Sequence, residues 1–216
     1  MKTPDLIIIG AGAAGLMCAM TAAKRGRRVL VLERSNKPGK KILMSGGGRC
    51  NFTNLHVAPD RFLSSNPHFC KSALSRYTQW DFISLVEKHG IEYFEKETVN
   101  GLSGQLFCRQ SSKLILAMLM EECRQAGVEI MLHCEIEAVE HSSVTWVSSV
   151  PGGKPGSQPD RPAPGTGFHL RTSLGKFSSE TLVVAAGGLS IPSLGGSGIG
   201  YELAESFGLR LLPRSA

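Results

Sequence analysis

At 216 residues, 42% hydrophobic and 19% charged, the chain has room for one large domain or one domain with a small satellite, and it is too apolar for wholesale disorder. Its formal net charge of +6 is a modest excess that a basic surface explains without a nucleic-acid partner. The six cysteines (Cys18, Cys50, Cys70, Cys108, Cys123 and Cys134) form no CxxC pair and no zinc spacing, which excludes a disulfide scaffold and points to reduced thiols in a cytoplasmic protein.

Leu6 to Ile9 is a short apolar run rich in β-branched residues, and it predicts a buried parallel strand. Leu16 to Arg25 has helical composition and stops at Gly26, and Val29 to Leu32 predicts a second buried strand ending at Glu33. These elements make a βαβ unit. Leu6 to Ala23 carries no charge and resembles a membrane span, but Gly10, Gly12 and Gly15 split it into a strand and a helix, each too short to cross a bilayer. No membrane partner is expected.

Further along, Ser72 to His89 predicts one helix with Leu74, Tyr77, Phe82, Leu85 and Val86 on its apolar face. Leu114 to Gln125 predicts another, and Val128 to Leu132 a strand. Short antiparallel strands are expected over about 135–181, interrupted by a Pro/Gly-rich stretch, 148–167, that reads as a flexible hairpin extension. Leu182 to Ala186 predicts a last buried strand running into Gly187-Gly188, and Tyr201 to Phe207 a helix. Alternation of this kind predicts an α/β fold: a Rossmann-like, doubly wound parallel sheet with a small antiparallel β insertion, drawn as one domain over 1–216.

Gly10-Ala11-Gly12-Ala13-Ala14-Gly15 is a GxGxxG motif lying between predicted strand and helix, where a dinucleotide fingerprint belongs. Gly10 permits the tight turn, Gly12 lets pyrophosphate approach the backbone, and Gly15 lets the helix pack on the sheet. The helix N-terminus offers free N–H groups to the phosphates, and Ala13 and Ala14 of the motif are expected at the cofactor with the glycines. Glu33 stands where a carboxylate accepts bonds from ribose hydroxyls and repels a 2′-phosphate, which disfavours NADP at this site. NAD and the ADP half of FAD both fit. Arg34, Lys37, Lys40 and Lys41 add positive charge near the pyrophosphate or form a solvated face. The triplet Gly46-Gly47-Gly48 offers backbone N–H groups to a planar ring such as a flavin, where they would stabilise its reduced form.

Three segments together, GAGAAG with Glu33, GKKILMSGGGRCNFTN, and VVAAGGLSIPSLGGSGIGYELAESFG, resemble the BaiN-like flavoproteins, the aminoacetone oxidase-type NAD(P)/FAD-dependent group of the glutathione reductase-like FAD superfamily. The resemblance covers nearly the whole chain. It implies FAD held non-covalently, with Ser45, Gly46, Gly47, Gly48, Arg49, Cys50 and Asn51 near pyrophosphate and flavin. It also implies that the Ile136 backbone meets the adenine and that Ala186-Gly187-Gly188 closes over the cofactor. It leaves NAD(P)H open as electron donor.

The chain departs from the family pattern at Gly104-Gln105-Leu106-Phe107-Cys108-Arg109, where a proline is missing and the arginine is displaced. Family members run to roughly twice this length, so the resemblance makes this chain an N-terminal part whose substrate-side domain should begin after Arg214. No histidine has metal-ligand spacing, and no metal is expected. Cys50 is the one thiol expected beside the flavin, its nearest neighbour in sequence being Cys70.

The expected function is flavin-mediated hydride or electron transfer on an unidentified small molecule. The alternatives are a nucleotide-binding fragment without turnover and an RNA-linked flavoprotein. The Lys and Arg residues gather at the cofactor loop without interleaved aromatics, so no nucleic-acid partner is expected.

Overall fold

The most apolar runs of the sequence form a parallel sheet. In the computed structural model, which describes residues 3–98, 101–142, 167–189 and 196–212, strands β1 (Leu6–Ile9) and β2 (Val29–Leu32) are buried at every position. A strand covered on both faces needs such a continuous apolar run, and full burial of each Ile or Leu contributes roughly 1.5–3 kcal/mol. Helix α1 (Ala13–Lys24) joins them and buries Leu16, Ala19, Met20 and Ala23, spaced three and four apart along one stripe. Two further parallel strands, β6 (Glu129–Met131) beside β2 and β10 (Thr181–Val184) beside β1, complete the order β10-β1-β2-β6. This is the arrangement of the first four strands of a doubly wound dinucleotide fold, as the sequence predicts.

Where the sequence draws one domain over 1–216, the backbone groups into two compact units, Met1–Pro38 with Cys123–Ala216 and Gly39–Glu122. In the first, an antiparallel sheet of β7 (Ile136–Ser142), β8 (Gly167–Thr172) and β9 (Gly175–Ser179) places Leu170, Ile136, Val139, Phe168 and Phe177 against Ile7, Ile9, Leu30 and Leu32. Helix α6 (Ile199–Ser206) adds Leu203 to the same cluster. The Pro/Gly-rich stretch 148–167 falls almost entirely outside the described residues.

The second unit contains helix α2 (Lys40–Met44), the antiparallel sheet β3 (Asn51–Asn54), β5 (Gly101–Cys108) and β4 (Tyr93–Thr98) in that order, helices α3 (Lys71–Arg76) and α4 (Gln79–Lys88), and the start of α5 (Ser112–Gln125). The single helix predicted over Ser72–His89 is two. The chain turns extended at Tyr77, and Thr78 caps α4: its N–H donates to Asp81 Oδ2 at 2.7 Å while its Oγ1 accepts the Asp81 N–H at 3.3 Å. This reciprocal box starts a new helix. Tyr77, predicted on an apolar face, is therefore exposed, and Ile83 and Val86 carry the burial. A buried carboxylate, Glu122, receives Lys88 Nζ at 3.1 Å and lies 2.7 Å from His89 Nε2.

Candidate dinucleotide site

The fingerprint turn is built as its glycines require. Gly10 has φ +104°, a conformation L side chains rarely adopt, and a Cβ there would stand 2.6 Å from the Ala185 carbonyl oxygen and 3.0 Å from Ala186 Cα. A Cβ on Gly15 would collide with the Gly10 carbonyl oxygen. Gly12 is different. It has ordinary backbone angles, φ −82° and ψ −172°, and nothing within 4 Å of where a side chain would start. It is the N-cap of α1, with no side-chain cap and no acidic residue in the first turn. The first-turn N–H groups of a helix have no partner within it, and here they border open space with Ala13 and Ala14 exposed. An anion fits this cradle.

Glu33 is fastened on every side. Its N–H donates to the Met131 carbonyl at 2.8 Å, and its own carbonyl accepts the Cys134 N–H at 2.9 Å. Its carboxylate accepts the Ala11 N–H at 2.8 Å through Oε2 and the Ser35 N–H at 2.7 Å through Oε1. A carboxylate has about four acceptor positions, so two remain for ribose hydroxyls. Ala186 meets Gly10 as described, Gly187 has φ +75°, and a Cβ on Gly188 would lie 3.3 Å from the Tyr201 hydroxyl. Ile136 opens β7 opposite Thr172, beside a register shift, with its side chain in the core cluster. The first unit thus brings together Gly10, Gly12, Gly15, Ala186 and Glu33. Arg34, just beyond, is exposed.

The remaining predicted site residues lie in the second unit. Lys40 and Lys41 open α2 and are half-buried. Ser45 Oγ donates to the Ile42 carbonyl at 2.8 Å. Gly46, Gly47 and Gly48 have φ of +56°, +64° and +86°, three consecutive left-handed residues that L side chains would adopt at a cost of roughly 1–2 kcal/mol each. The turn is closed by the Cys50 N–H donating to the Ser45 carbonyl at 3.0 Å. At Gly46 a Cβ would meet the Phe107 ring at 2.6 Å and the Asn51 nitrogen at 2.8 Å, whereas Gly47 and Gly48 face open space. Local backbone geometry therefore demands the triplet. The Arg49 guanidinium lies over the Phe94 ring, 5.6 Å from its centroid, in a cation–π contact. Asn51 is exposed on β3.

Cys50 is buried, with φ +52°. Its neighbour is Cys108, whose N–H donates to the Arg49 carbonyl at 2.8 Å, while the Cys70 thiol faces the Pro59 carbonyl. Burial pushes the Cys50 thiol up against an opposing Ser45 hydrogen bond, and burial, then the charge of Cys50, pushes Cys108 up to about 11. Both stay protonated at neutral pH and are poor nucleophiles. The departing segment runs along β5 from Gly104 to Cys108, and Arg109, just past the strand, has its Nε 3.7 Å from Glu92 Oε2.

The expectation of cations without interleaved aromatics needs correction. Over residues 61–80, Arg61, Lys71 and Arg76 are interspersed with exposed Phe62, Phe69, Tyr77 and Trp80. Spacing could have shown this, but exposure could not be read from it. Among the described residues no helix is long and apolar enough to cross a membrane.

Comparison with known proteins supports this reading of the fold. The chain is 49% identical over 216 residues to the ribosomal RNA dihydrouridine synthase of Escherichia coli (strain K12), covering 100% of this chain and 47% of that protein. It is 29% identical over 209 residues to the 3-dehydro-bile acid delta(4,6)-reductase of Clostridium scindens, covering 95% of this chain and 44% of that protein. The chain thus spans about half the length of the curated relatives it matches. Among solved structures, glycine oxidase from Geobacillus kaustophilus aligns with a TM-score of 0.57 at 18% identity, over 98% of this chain and 60% of that one, a likeness of fold. The family model described as the HI0933-like protein Rossmann domain matches residues 4–152, and the chain belongs to that family.

Proposed function

We propose that this chain is the FAD-binding part of a flavoprotein oxidoreductase that reduces a carbon–carbon double bond conjugated to a carbonyl, with uridine in ribosomal RNA as substrate. The observation that carries the FAD assignment is the assembled fingerprint: an open, uncapped helix start at Gly12 beside a carboxylate, Glu33, that clamps the Ala11 N–H. Phosphate suits the first, and ribose hydroxyls suit the second. Ile136 is assigned to the adenine and Ala186–Gly188 to the turn that closes over the cofactor. Lys40, Lys41 and Ser45–Asn51 are assigned to the same cofactor on the family resemblance.

Bound FAD supplies hydride transfer, and the protein's share is holding and orienting it. NAD(P)H is the proposed electron donor. Support for the substrate comes from the relatives. One is named for making dihydrouridine in ribosomal RNA and the other for reducing a delta(4,6) unsaturated 3-dehydro-bile acid. Both names describe saturation of a double bond conjugated to a carbonyl, so the bile-acid name favours a small-molecule enone as the second reading. Work on ribosomal RNA goes with a cytoplasmic location.

The test is incubation of FAD-loaded protein with NADH or NADPH and unmodified ribosomal RNA, followed by mass analysis of the nucleosides. Uridine gaining two hydrogens is the expected product. RNA left unchanged while a steroid enone is reduced would transfer the assignment to the small-molecule reading.

A further inference from the structure

Residues 61–80 of the second unit contain no aspartate or glutamate, yet Arg61, Lys71 and Arg76 are all exposed there. Leu63 is fully exposed, Phe69 and Trp80 are each 56% exposed, and Phe62 meets Phe69 edge to face with ring centroids 6.3 Å apart. Exposed apolar side chains scattered singly need no explanation, but these are gathered along one stretch and interleaved with cations. The backbone beneath them is anchored. Cys70 is buried, and Gln79 Nε2 donates to the Leu55 carbonyl at 3.1 Å, so the rings stand on a fixed support rather than a loose tail.

We infer that this surface docks unpaired RNA, with bases stacking on Phe69 and Trp80 and phosphates held by Arg61, Lys71 and Arg76. Arg61, Lys71 and Arg76 outnumber the two flanking acids, Asp60 and Asp81, the latter tied to Thr78. The remaining positive charge complements a phosphate backbone, and exposed rings offer faces on which any base can stack. An unpaired strand is the form that fits. Duplex RNA hides its base faces, and an enzyme acting on a base must take it out of the stack. The inference rests on the RNA reading above for the identity of the occupant.

The test uses the 216-residue chain and a fluorescein-labelled oligouridylate of about 12 nucleotides, a span within the usual range of single-strand sites. Binding is read by anisotropy at several salt concentrations. Trp80→Ala and Phe69→Ala should each weaken binding about 5- to 150-fold, the range expected for one lost stacking contact, and Trp80→Phe should keep most of it. Replacing Arg61, Lys71 and Arg76 together by alanine should flatten the slope of log affinity against log salt by about 2, at about 0.7 per neutralised phosphate contact on a single strand.

Folded variants with unchanged affinity and unchanged slope would overturn the inference. So would vesicles of anionic phospholipid binding better than the oligonucleotide, which would make the surface a membrane contact. FAD content measured on the same samples separates the two claims. Protein that holds FAD but ignores these substitutions defeats the docking surface alone. Protein that binds the strand through these residues but holds no FAD defeats the flavoprotein reading and leaves the surface standing.

Discussion

The Ala11 N–H donates to Glu33 Oε2 at 2.8 Å, tying the middle of the glycine turn to the end of the second strand. A residue expected to serve only the cofactor therefore also holds the loop that receives it. In Glu33→Gln one of the two N–H groups now on the carboxylate would face an amide NH2. Hydrogen bonds to charged groups contribute about 1.5–3 kcal/mol, so a drop in melting temperature is expected together with at least tenfold weaker FAD binding. Loss of FAD with no change in melting temperature would mean that the clamp adds nothing to the fold.

Gly12 and Gly15 separate binding from folding. Gly12→Ala places a methyl group in open space at a backbone conformation alanine adopts freely, so stability should stay within about 0.5 kcal/mol. That methyl occupies the phosphate cradle, and FAD retention should be lost. Gly15→Ala drives a Cβ into the Gly10 carbonyl oxygen, which is backbone and cannot step aside, so the variant should be recovered unfolded or aggregated. Thermal melts and flavin content of the two purified variants decide. A Gly12→Ala protein that keeps its flavin would contradict the cradle.

Within the triplet, Gly46 and Gly47 should differ. Both are left-handed, and alanine at either carries the roughly 1–2 kcal/mol of that conformation. Only at Gly46 does the new methyl also strike Phe107 and the Asn51 nitrogen, adding an overpacking cost of about 1–3 kcal/mol. Denaturant midpoints should therefore fall further for Gly46→Ala than for Gly47→Ala. Equal midpoints would show that Phe107 yields without strain.

Acid sensitivity should track Asp5. The Arg28 side chain, and next its backbone N–H at 2.8 Å, hold the Asp5 carboxyl at about 2 against an ordinary 3.8. A carboxyl depressed in the folded state contributes stability that is fully present above its unfolded value and is lost as pH falls through the folded one. Thermal melts should thus lose this contribution between about pH 4 and pH 2. Asp5→Asn should melt lower at neutral pH and lose less across that window. Parallel pH profiles for the two proteins would remove the pair from the account.

The first βαβ unit was legible because a doubly covered strand demands an unbroken apolar run, as in LIII and VLVL, and because a left-handed turn at Gly10 demands glycine. The sheet of the second unit was not legible, since NFTN and YFEKET are half-exposed to exposed and carry little apolar alternation. The break before α4 was written in Thr78 and Asp81, but an apolar repeat running through Tyr77 masked the cap. The Glu33 clamp joins residues 22 apart and leaves no local pattern. Exposure of Phe69 and Trp80 likewise depends on which face the fold covers.

The measurement that bears most directly on the central claim is the visible absorption spectrum of the purified chain, mixed with FAD and desalted, beside Gly12→Ala treated in the same way. The account predicts oxidised-flavin bands that survive desalting in the first protein and vanish in the second. A colourless native chain that takes up no FAD would contradict it.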